Sequence, residues 1–286
     1  MPLILGRRAF LQGAVASAAA ASAAMAQSRP RTHWALLSDV HVSADPADRF
    51  RGFSPAANLT KVVPHVLGAE PDGTLISGDL ARLQGLKEDY QTVRTLLDPL
   101  VAGRTLALTL GNHDDRKNFF QVFAPASQSP VRDRQVVVLE APPLRFILLD
   151  SLLVTNIAPG LLGKDQRTWL DQYLKSSDAA PTVIVVHHPP DDADNNLLDG
   201  DRLVRMLAPV RKVKAVIFGH THAYRYDTLE GLHMVNLPAV GYNFADTEPV
   251  GWVEARMGRD GADFKLHAIG GNTAQDGQVK SVAWRA

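Results

Sequence analysis

The sequence predicts an α/β layered domain over residues 34–286. Short β-rich runs alternate with helical patterns from Trp34 onward, which is typical of sheets covered by helices. Several of these runs are continuously apolar, as expected of strands that are buried on both faces. With 286 residues, 45% of them hydrophobic, the chain has the size of one large domain rather than several.

The β-rich runs and the helical patterns predict individual elements. The predicted strands are Trp34–Ser38, Thr74–Ser77, Thr105–Leu110, Gln135–Leu139, Phe146–Leu149, Val183–Val186, Ala215–Phe218 and His233–Leu237. Apolar residues at helical spacing predict two covering helices, over Leu86–Leu100 and Lys164–Leu174. After Gly219 the pattern changes to short strands with turn signals such as Gly258-Arg259-Asp260-Gly261. We therefore expect the C-terminal part to add antiparallel strands to a second sheet.

The N-terminal residues differ from the rest of the chain. Gly6-Arg7-Arg8-Ala9-Phe10-Leu11-Gln12 precedes a weakly hydrophobic, alanine-rich stretch that ends in Ala24-Met25-Ala26. This resembles a bacterial twin-arginine export signal with an A-x-A cleavage pattern. An amphipathic helix is the alternative, but residues 13–26 have no polar face. We expect a signal over residues 1–26, a linker over 27–33, transient contact with the twin-arginine export machinery, and a periplasmic product that begins at Gln27.

Composition and charge narrow the classes of partner. Lys plus Arg and Asp plus Glu both number 30, so the formal net charge is zero and no nucleic acid polymer is expected as a partner. The alanine-rich stretch is too weakly apolar to be a stable membrane anchor, and no later stretch is long enough to be one. Cysteine is absent, which excludes disulfides and thiolate ligands.

Side chains of the kinds that bind metals recur where predicted strands end. They occur in Asp39-Val40-His41, Gly78-Asp79, Gly111-Asn112-His113-Asp114, His187-His188-Pro189-Pro190 and Gly219-His220-Thr221-His222. The carboxyl ends of strands gather at one edge of such a sheet, so these five fragments are expected to meet there. Carboxylate and amide oxygens mixed with imidazole nitrogens suit Fe, Mn, Zn or Co, and a carboxylate can bridge two such ions around a hydroxide.

The ordered set D-x-H, G-D, G-N-H-D, H-x-P and G-H-x-H resembles that of the calcineurin-like metallophosphoesterases, and it spans Asp39 to His222. The resemblance implies a four-layer α/β/β/α sandwich of two mixed β-sheets flanked by helices. It also implies two divalent or trivalent transition-metal ions. The ligands implied for the first ion are Asp39, His41, Asp79 and His222, and those for the second are Asp79, Asn112, His187 and His220.

Three neighbouring assignments follow from the same pattern. The family ligand stands two positions before a proline, which selects His187, and strand alternation would turn His188 the other way, toward a packing or supporting role. His113 would carry no metal and would face the phosphate or the leaving group as a catalytic residue. Asp114 would orient the His113 ring.

Softer matches concern the substrate. Leu149-Asp150-Ser151, Gly163, Gln166 and Trp169-Leu170 resemble bacterial cyclic-nucleotide phosphodiesterases and glycerophosphodiesterases of this family. Gly78-Asp79-Leu80-Ala81-Arg82 departs from the G-D-x-x-D/E form of protein phosphatases and double-strand-break nucleases. We expect hydrolysis of small phosphodiesters by metal-activated hydroxide. The alternatives are a phosphomonoesterase on the same scaffold and a non-catalytic protein that binds metal or a phosphoryl ligand.

The polar loop Asp191–Asn196 is expected to form the rim of the entrance to the active site.

Overall fold

The computed structural model describes residues 30–123 and 129–286. The predicted export signal and the first residues of the predicted linker lie outside the described residues. The first strand begins at Arg31, so residues 31–33 belong to the domain and not to the linker that the sequence predicts there. Within the described ranges, no helix combines the length and the apolar character needed to cross a membrane.

Twelve strands and five helices make up the described part of the chain. The strands are β1 (Arg31–Leu37), β2 (Gly73–Ser77), β3 (Thr105–Thr109), β4 (Val137–Ala141), β5 (Leu144–Leu148), β6 (Thr182–Val185), β7 (Val213–Phe218), β8 (Arg225–Leu229), β9 (Leu232–Asn236), β10 (Pro249–Gly258), β11 (Gly261–Gly271) and β12 (Val279–Ala283). The helices are α1 (Pro55–Ala69), α2 (Lys87–Val101), α3 (Arg116–Val122), α4 (Gly163–Ser176) and α5 (Gly200–Leu207). All eight predicted strands and both predicted helices are confirmed, with ends that differ by at most three residues.

The strands form two mixed sheets of six. The first sheet has the order β12-β11-β10-β1-β2-β3, and the second has the order β4-β5-β6-β7-β9-β8. Strands β1, β2 and β3 run parallel to one another, as do β5, β6, β7 and β9. The parallel strands of both sheets therefore present their carboxyl ends for a shared site.

Three apolar layers hold the sheets and helices together. Between the sheets, Leu36 of β1, Phe146 of β5 and Phe264 of β11 are fully buried in one cluster. On the outer side of the first sheet, Leu37 packs in a second cluster with residues of α1, α2 and α3, and a third cluster joins the second sheet to α4 and α5. Leu36 and Leu37 face opposite layers because successive side chains of a strand alternate. The predicted four-layer α/β/β/α sandwich is confirmed.

The expectation that the C-terminal part adds antiparallel strands to a second sheet is correct for one strand and wrong for three. Strand β8 joins the second sheet, antiparallel to β9, but β10, β11 and β12 extend the first sheet beyond β1. The reason is that β10 is buried on both faces: Val253 lies between the sheets, and Trp252 lies in the outer layer. A strand that is apolar on both faces is most stable inside a sheet, and β10 lies between β1 and β11.

Candidate metal centre

The five ligand-bearing fragments meet at the carboxyl ends of the central strands. Asp39 follows β1, Asp79 follows β2 and Asn112 follows β3, all in the first sheet. His187 follows β6 and His220 follows β7, both in the second sheet. The site is therefore built by both sheets together, and it depends on their packing.

The backbone at this edge is held in an uncommon conformation. Ten described residues other than glycine have a positive φ, and half of them are predicted metal ligands: Asp39, His41, Asp79, His220 and His222. A left-handed conformation costs a residue other than glycine about 1–3 kcal/mol and persists only where its surroundings enforce it. Hydrogen bonds between neighbouring turns do so, such as His41 N to Asp79 O at 2.9 Å and Gly241 N to Asp39 O at 2.9 Å. Placing these side chains therefore lowers the stability of the fold.

Three side chains form the first half of the site. Nε2 of His222 lies 3.3 Å from Oδ1 of Asp39, and Nε2 of His41 lies 3.8 Å from the same oxygen. The two Nε2 atoms are 3.0 Å apart. All three side chains are buried. Their donor atoms could hold a single ion.

The Asp79 carboxylate lies between this half and the next. Its Oδ2 is 3.6 Å from Nε2 of His41 and 3.3 Å from Nε2 of His187. Its Oδ1 accepts a hydrogen bond from the backbone N–H of His113 at 2.8 Å, which fixes the orientation of the carboxylate. Asp79 is therefore the side chain that both halves of the site share.

His220 contacts both Asn112 and His187 in the second half of the site. Nδ1 of His220 is 2.9 Å from Oδ1 of Asn112, and its Nε2 is 2.9 Å from the backbone oxygen of Asn195. The His220 and His187 rings are 5.2 Å apart between centroids. The backbone N–H of His220 donates to Oδ2 of Asp39 at 3.0 Å, which ties this half to the first.

Main-chain carbonyls orient the imidazoles. Nδ1 of His187 donates to Ser77 O at 2.7 Å, and Nδ1 of His222 donates to Tyr242 O at 2.5 Å. Nδ1 of His41 lies 3.3 Å from Arg82 O. With Nδ1 protonated in this way, each Nε2 presents a lone pair to the centre.

The donor atoms around Asp79 fit a cation. Oδ1 of Asp39 and Nε2 of His187 are buried without a hydrogen-bond partner among residues 30–123 and 129–286, although buried polar atoms normally have one. The Nε2 atoms of His41 and His222 face each other at 3.0 Å, and two lone pairs at that distance repel. Positive charge placed among these atoms would satisfy all of them. Mixed imidazole and carboxylate ligands suit a transition metal.

The charges of the site are strongly coupled. Burial lowers the pKa of His187, but the carboxylates of Asp79 and Asp39 outweigh burial and raise it to about 9. Burial, reinforced by neighbouring imidazoles, lowers the pKa of His41 to about 3 and that of His220 to about 4. Burial opposes ionisation of Asp79, yet His187 and His41 hold its pKa well below the usual value. The carboxylates are therefore ionised, and the protein favours positive charge between them.

The neighbouring residues His187 and His188 differ in their hydrogen bonds. His188 has both ring nitrogens in hydrogen bonds, with Ser151 Oγ at 2.7 Å and with Ala158 O at 3.0 Å. His187 uses only Nδ1 and leaves Nε2 facing Asp79. His187, His188 and His220 lie close enough to hold one ion together, so the choice of His187 over His188 as the ligand stays a prediction.

Asp114 does not orient His113, in contrast to the role expected from the sequence. Nδ1 of the His113 ring lies 3.2 Å from the backbone oxygen of Leu83. The buried Asp114 carboxylate accepts hydrogen bonds from the backbone N–H groups of Leu80, Ala81 and Gly111 and from the Tyr90 hydroxyl. The turn after β3 points Asp114 away from the pocket. Asp114 therefore fixes the loop that carries Asp79, and burial together with the Asp79 charge raises its pKa to about 7.

Two glycines allow the fragments to approach this closely. A Cβ on Gly111 would lie 2.2 Å from Oδ1 of Asp79, and a Cβ on Gly219 would lie 2.4 Å from Oδ2 of Asp39. Neither contact is sterically possible, so both positions require glycine where the chain passes the carboxylates.

A pocket of about 270 Å³ opens onto the site. Its lining residues are Asp79, Asn112, His113, Asn156, Ala158, Asn195, His220, His222 and Phe244. Asn195 belongs to the polar loop predicted as the rim. Asp191 and Asp192 of that loop line a separate surface pocket.

Several residues of the site were not identified from the sequence. Ser77, Arg82 and Tyr242 orient the imidazoles through main-chain carbonyls, which leave no signature in a sequence. Tyr90 lies within the predicted helix Leu86–Leu100, and its hydroxyl donates to Asp114, which helical spacing alone does not indicate. Phe244 follows no motif that indicates a pocket.

The comparisons with known proteins agree with this geometry. Residues 33–224 match the calcineurin-like phosphoesterase family. The "Probable cyclic nucleotide phosphodiesterase" of Synechococcus sp. is 29% identical over 236 residues, which cover 80% of this chain and 88% of that protein. A 3',5'-cyclic-nucleotide phosphodiesterase of Nostoc sp. is 28% identical over 219 residues, which cover 73% of this chain and 79% of that protein. The fold resembles that of a dimetal phosphatase from Danio rerio, with a TM-score of 0.68, 16% identity, and coverage of 90% of this chain and 100% of that one.

The family match extends over all five ligand-bearing fragments, from Asp39 to His222. The chain belongs to the calcineurin-like phosphoesterase family and is a metallophosphoesterase whose clustered imidazoles and carboxylates could hold metal ions.

Proposed function

We propose that the protein hydrolyses small phosphodiesters, of the cyclic-nucleotide or glycerophosphodiester type. One observation carries the proposal: the ionised Asp79 carboxylate lies between two sets of donor atoms, and two buried atoms among them, Asp39 Oδ1 and His187 Nε2, have no hydrogen-bond partner in the part of the chain that the structure describes. This arrangement suits two cations that share one carboxylate, which is the requirement for attack on phosphorus by an activated water.

The ligand assignment follows the two halves of the site. Asp39, His41, Asp79 and His222 would hold the first ion, and Asp79, Asn112, His187 and His220 would hold the second. When bound by these residues, two ions would supply a nucleophile at neutral pH and would neutralise charge on the phosphoryl oxygens. Fe, Mn, Zn and Co all suit these ligands, and elemental analysis of protein purified without added metal would distinguish them.

His113 is the candidate for proton transfer to the leaving group. Its ring lines the pocket, and Leu83 O occupies Nδ1. Nε2 has no hydrogen-bond partner within the described residues, so it can approach a substrate oxygen. A positioned imidazole of this kind protonates a leaving alkoxide or stabilises charge on the phosphoryl group. Asp114 acts as a positioning residue for the Asp79 loop.

The names of the two cyclic-nucleotide phosphodiesterase relatives support a diester substrate over a monoester. The test compares kcat/KM for bis(4-nitrophenyl) phosphate and 4-nitrophenyl phosphate, with an Asp39→Asn variant to control for contaminating phosphatases. We expect the diester to be hydrolysed faster. Faster hydrolysis of the monoester would identify a phosphomonoesterase, and metal-replete protein that is inert on both would identify a binding protein.

We also propose export to the periplasm through the twin-arginine pathway, on the strength of Arg7, Arg8 and the stretch that ends at Ala26. That pathway carries folded proteins. A metal site assembled from five distant fragments forms only on folding, so export after folding would let the metal be chosen in the cytoplasm. Cell fractionation tests this: wild-type protein should begin at Gln27 in the periplasm, and an Arg7→Lys, Arg8→Lys double variant should remain as cytoplasmic precursor. Periplasmic delivery of the double variant would refute the proposal.

A further inference from the structure

Phe244 is an exposed aromatic residue at the edge of the metal centre. It lies in the loop between β9 and β10, and 52% of its surface is exposed although it lines the pocket. Its ring stacks on the imidazole of His222 with 4.1 Å between centroids and 21° between planes. One face of the ring is therefore covered by a residue of the site, and the exposed surface is available to a ligand.

The surroundings of Phe244 restrict its position. The Tyr242 ring meets it edge-on, with 5.8 Å between centroids, and Tyr242 O accepts the hydrogen bond from Nδ1 of His222. The buried side chain of Asn243 donates to Glu248 O at 2.7 Å and fixes the loop. A ring that is already positioned loses little conformational entropy when a ligand stacks on it.

The side-chain amides of two asparagines line the same pocket. The side chains of Asn156 and Asn195 are exposed and make no hydrogen bond within the described ranges. Their main chains are held: Asn156 N donates to Asn112 O at 2.6 Å, and Asn195 O pairs with Nε2 of His220. Each side-chain amide offers both donors and an acceptor, which matches the mixed polar edge of a heteroaromatic base.

We infer that Phe244 is a specificity-determining residue that stacks on the nucleobase of the substrate, with Asn156 and Asn195 within the same pocket to bind the polar edge of the base. The inference rests on the proposed phosphodiesterase function and favours the nucleotide over the glycerol-containing class of diester. A metal centre recognises phosphate alone, so a planar apolar surface beside it is what would distinguish the two classes. Base stacking on an aromatic side chain contributes about 1–3 kcal/mol, which is about a 5- to 150-fold change in affinity.

The test measures binding to the metal-loaded protein by calorimetry, with AMP and inorganic phosphate as probes. Wild-type protein should bind AMP at least about 5-fold more tightly than phosphate. Phe244→Leu keeps an apolar cover on His222 but loses the aromatic face, so the Kd for AMP should rise at least about 5-fold while the Kd for phosphate changes less than about twofold. Phe244→Trp should restore AMP binding.

Phe50→Leu is the matched control, because Phe50 is an exposed phenylalanine that contacts Tyr242 but does not line the pocket. It should leave the Kd for both probes unchanged. Equal affinity of the wild type for AMP and phosphate would overturn the inference. So would an equal loss of both probes in Phe244→Leu, which would show that Phe244 serves only to hold His222. Failure of the proposed function is seen separately, as absence of diester hydrolysis by the wild type.

Discussion

Gly111→Ala is the substitution that tests the close approach at the metal centre most sharply. The added Cβ would lie 2.2 Å from Oδ1 of Asp79, 2.6 Å from its backbone nitrogen and 2.7 Å from Nε2 of His187, whereas ordinary contacts begin at 3.4 Å. The shared carboxylate must therefore move by about 1 Å, and the hydrogen bond that Asp79 accepts from His113 N must lengthen. Metal sites tolerate about 0.2 Å in ligand position, so at least one ion should be lost.

The expected magnitudes follow from that displacement. A shift of about 1 Å in a catalytic group lowers the rate by about 10²-fold, or about 2.7 kcal/mol in the barrier. Overpacking costs about 1–3 kcal/mol of stability, which for a chain of this size lowers Tm by about 2–10 °C. Diester hydrolysis, elemental analysis and thermal unfolding measured on one preparation give all three values.

Gly68→Ala is the matched control. Nothing lies within 4 Å of a Cβ at Gly68, which is in helix α1. Alanine there should stabilise the protein by about 0.5–1 kcal/mol and leave the rate unchanged. If Gly111→Ala kept both ions and the wild-type rate, the close packing of Gly111 against Asp79 would have no role in the site.

Three further substitutions test other parts of the account. Asp79→Asn should lose metal and lower activity by at least about 10³-fold, because both ions share this carboxylate; a variant that retains two ions by elemental analysis would show that it does not bridge them. His113→Ala should retain both ions but lower kcat by about 10²- to 10⁴-fold, and loss of metal instead would make His113 a ligand. Burial alone would raise the pKa of Glu254, but hydrogen bonds from His267 and Arg256 hold this pKa below the usual value. The ionised carboxylate therefore stabilises the fold at any pH above the unfolded-state pKa. This contribution is lost as the pH falls through the folded-state pKa. Glu254→Gln should therefore lower stability by about 1–2 kcal/mol at pH 7, and the difference in Tm from the wild type should close as the pH falls below 4.5, the usual pKa of a glutamate. A difference that does not change with pH would exclude the charge as its source.

The ligand-bearing fragments of the site could be identified from the sequence because each consists of a distinctive side chain next to the end of an apolar run. Asp39, Asn112 and His220 are examples, and all lie where the strand ends predict. What orients them could not be identified in the same way. The carbonyl of Tyr242 reaches His222 only because the loop after β9 folds back, and every residue has a carbonyl.

Asp114 shows why proximity in sequence is a poor guide to contact. It follows His113 directly, yet it binds Tyr90 of helix α2, whose position depends on packing against the sheet. The sequence-based hypothesis paired neighbours in the chain, whereas the fold pairs residues 24 positions apart.

Most strands of the fold were predictable from the sequence and its layers from the family resemblance, but helices α1, α3 and α5 were not predicted. Strand β10 illustrates the limit, because its apolar pattern predicts a buried strand but does not say that it pairs with β1, more than two hundred residues earlier. Helix α1 was missed, although it carries signals that could have identified it: Ser54 caps its N-terminus, Pro55 occupies the first turn, and Leu59, Val62 and Val66 recur at helical spacing. The proline at position 64 interrupts that pattern.

Two cations should lie on either side of the Asp79 carboxylate, and anomalous X-ray diffraction at the absorption edge of the bound metal would locate them. We expect two anomalous peaks about 3.5–4 Å apart. One peak should lie among Asp39, His41 and His222, and the other among Asn112, His187 and His220. A single peak, or two peaks that do not share Asp79, would contradict it.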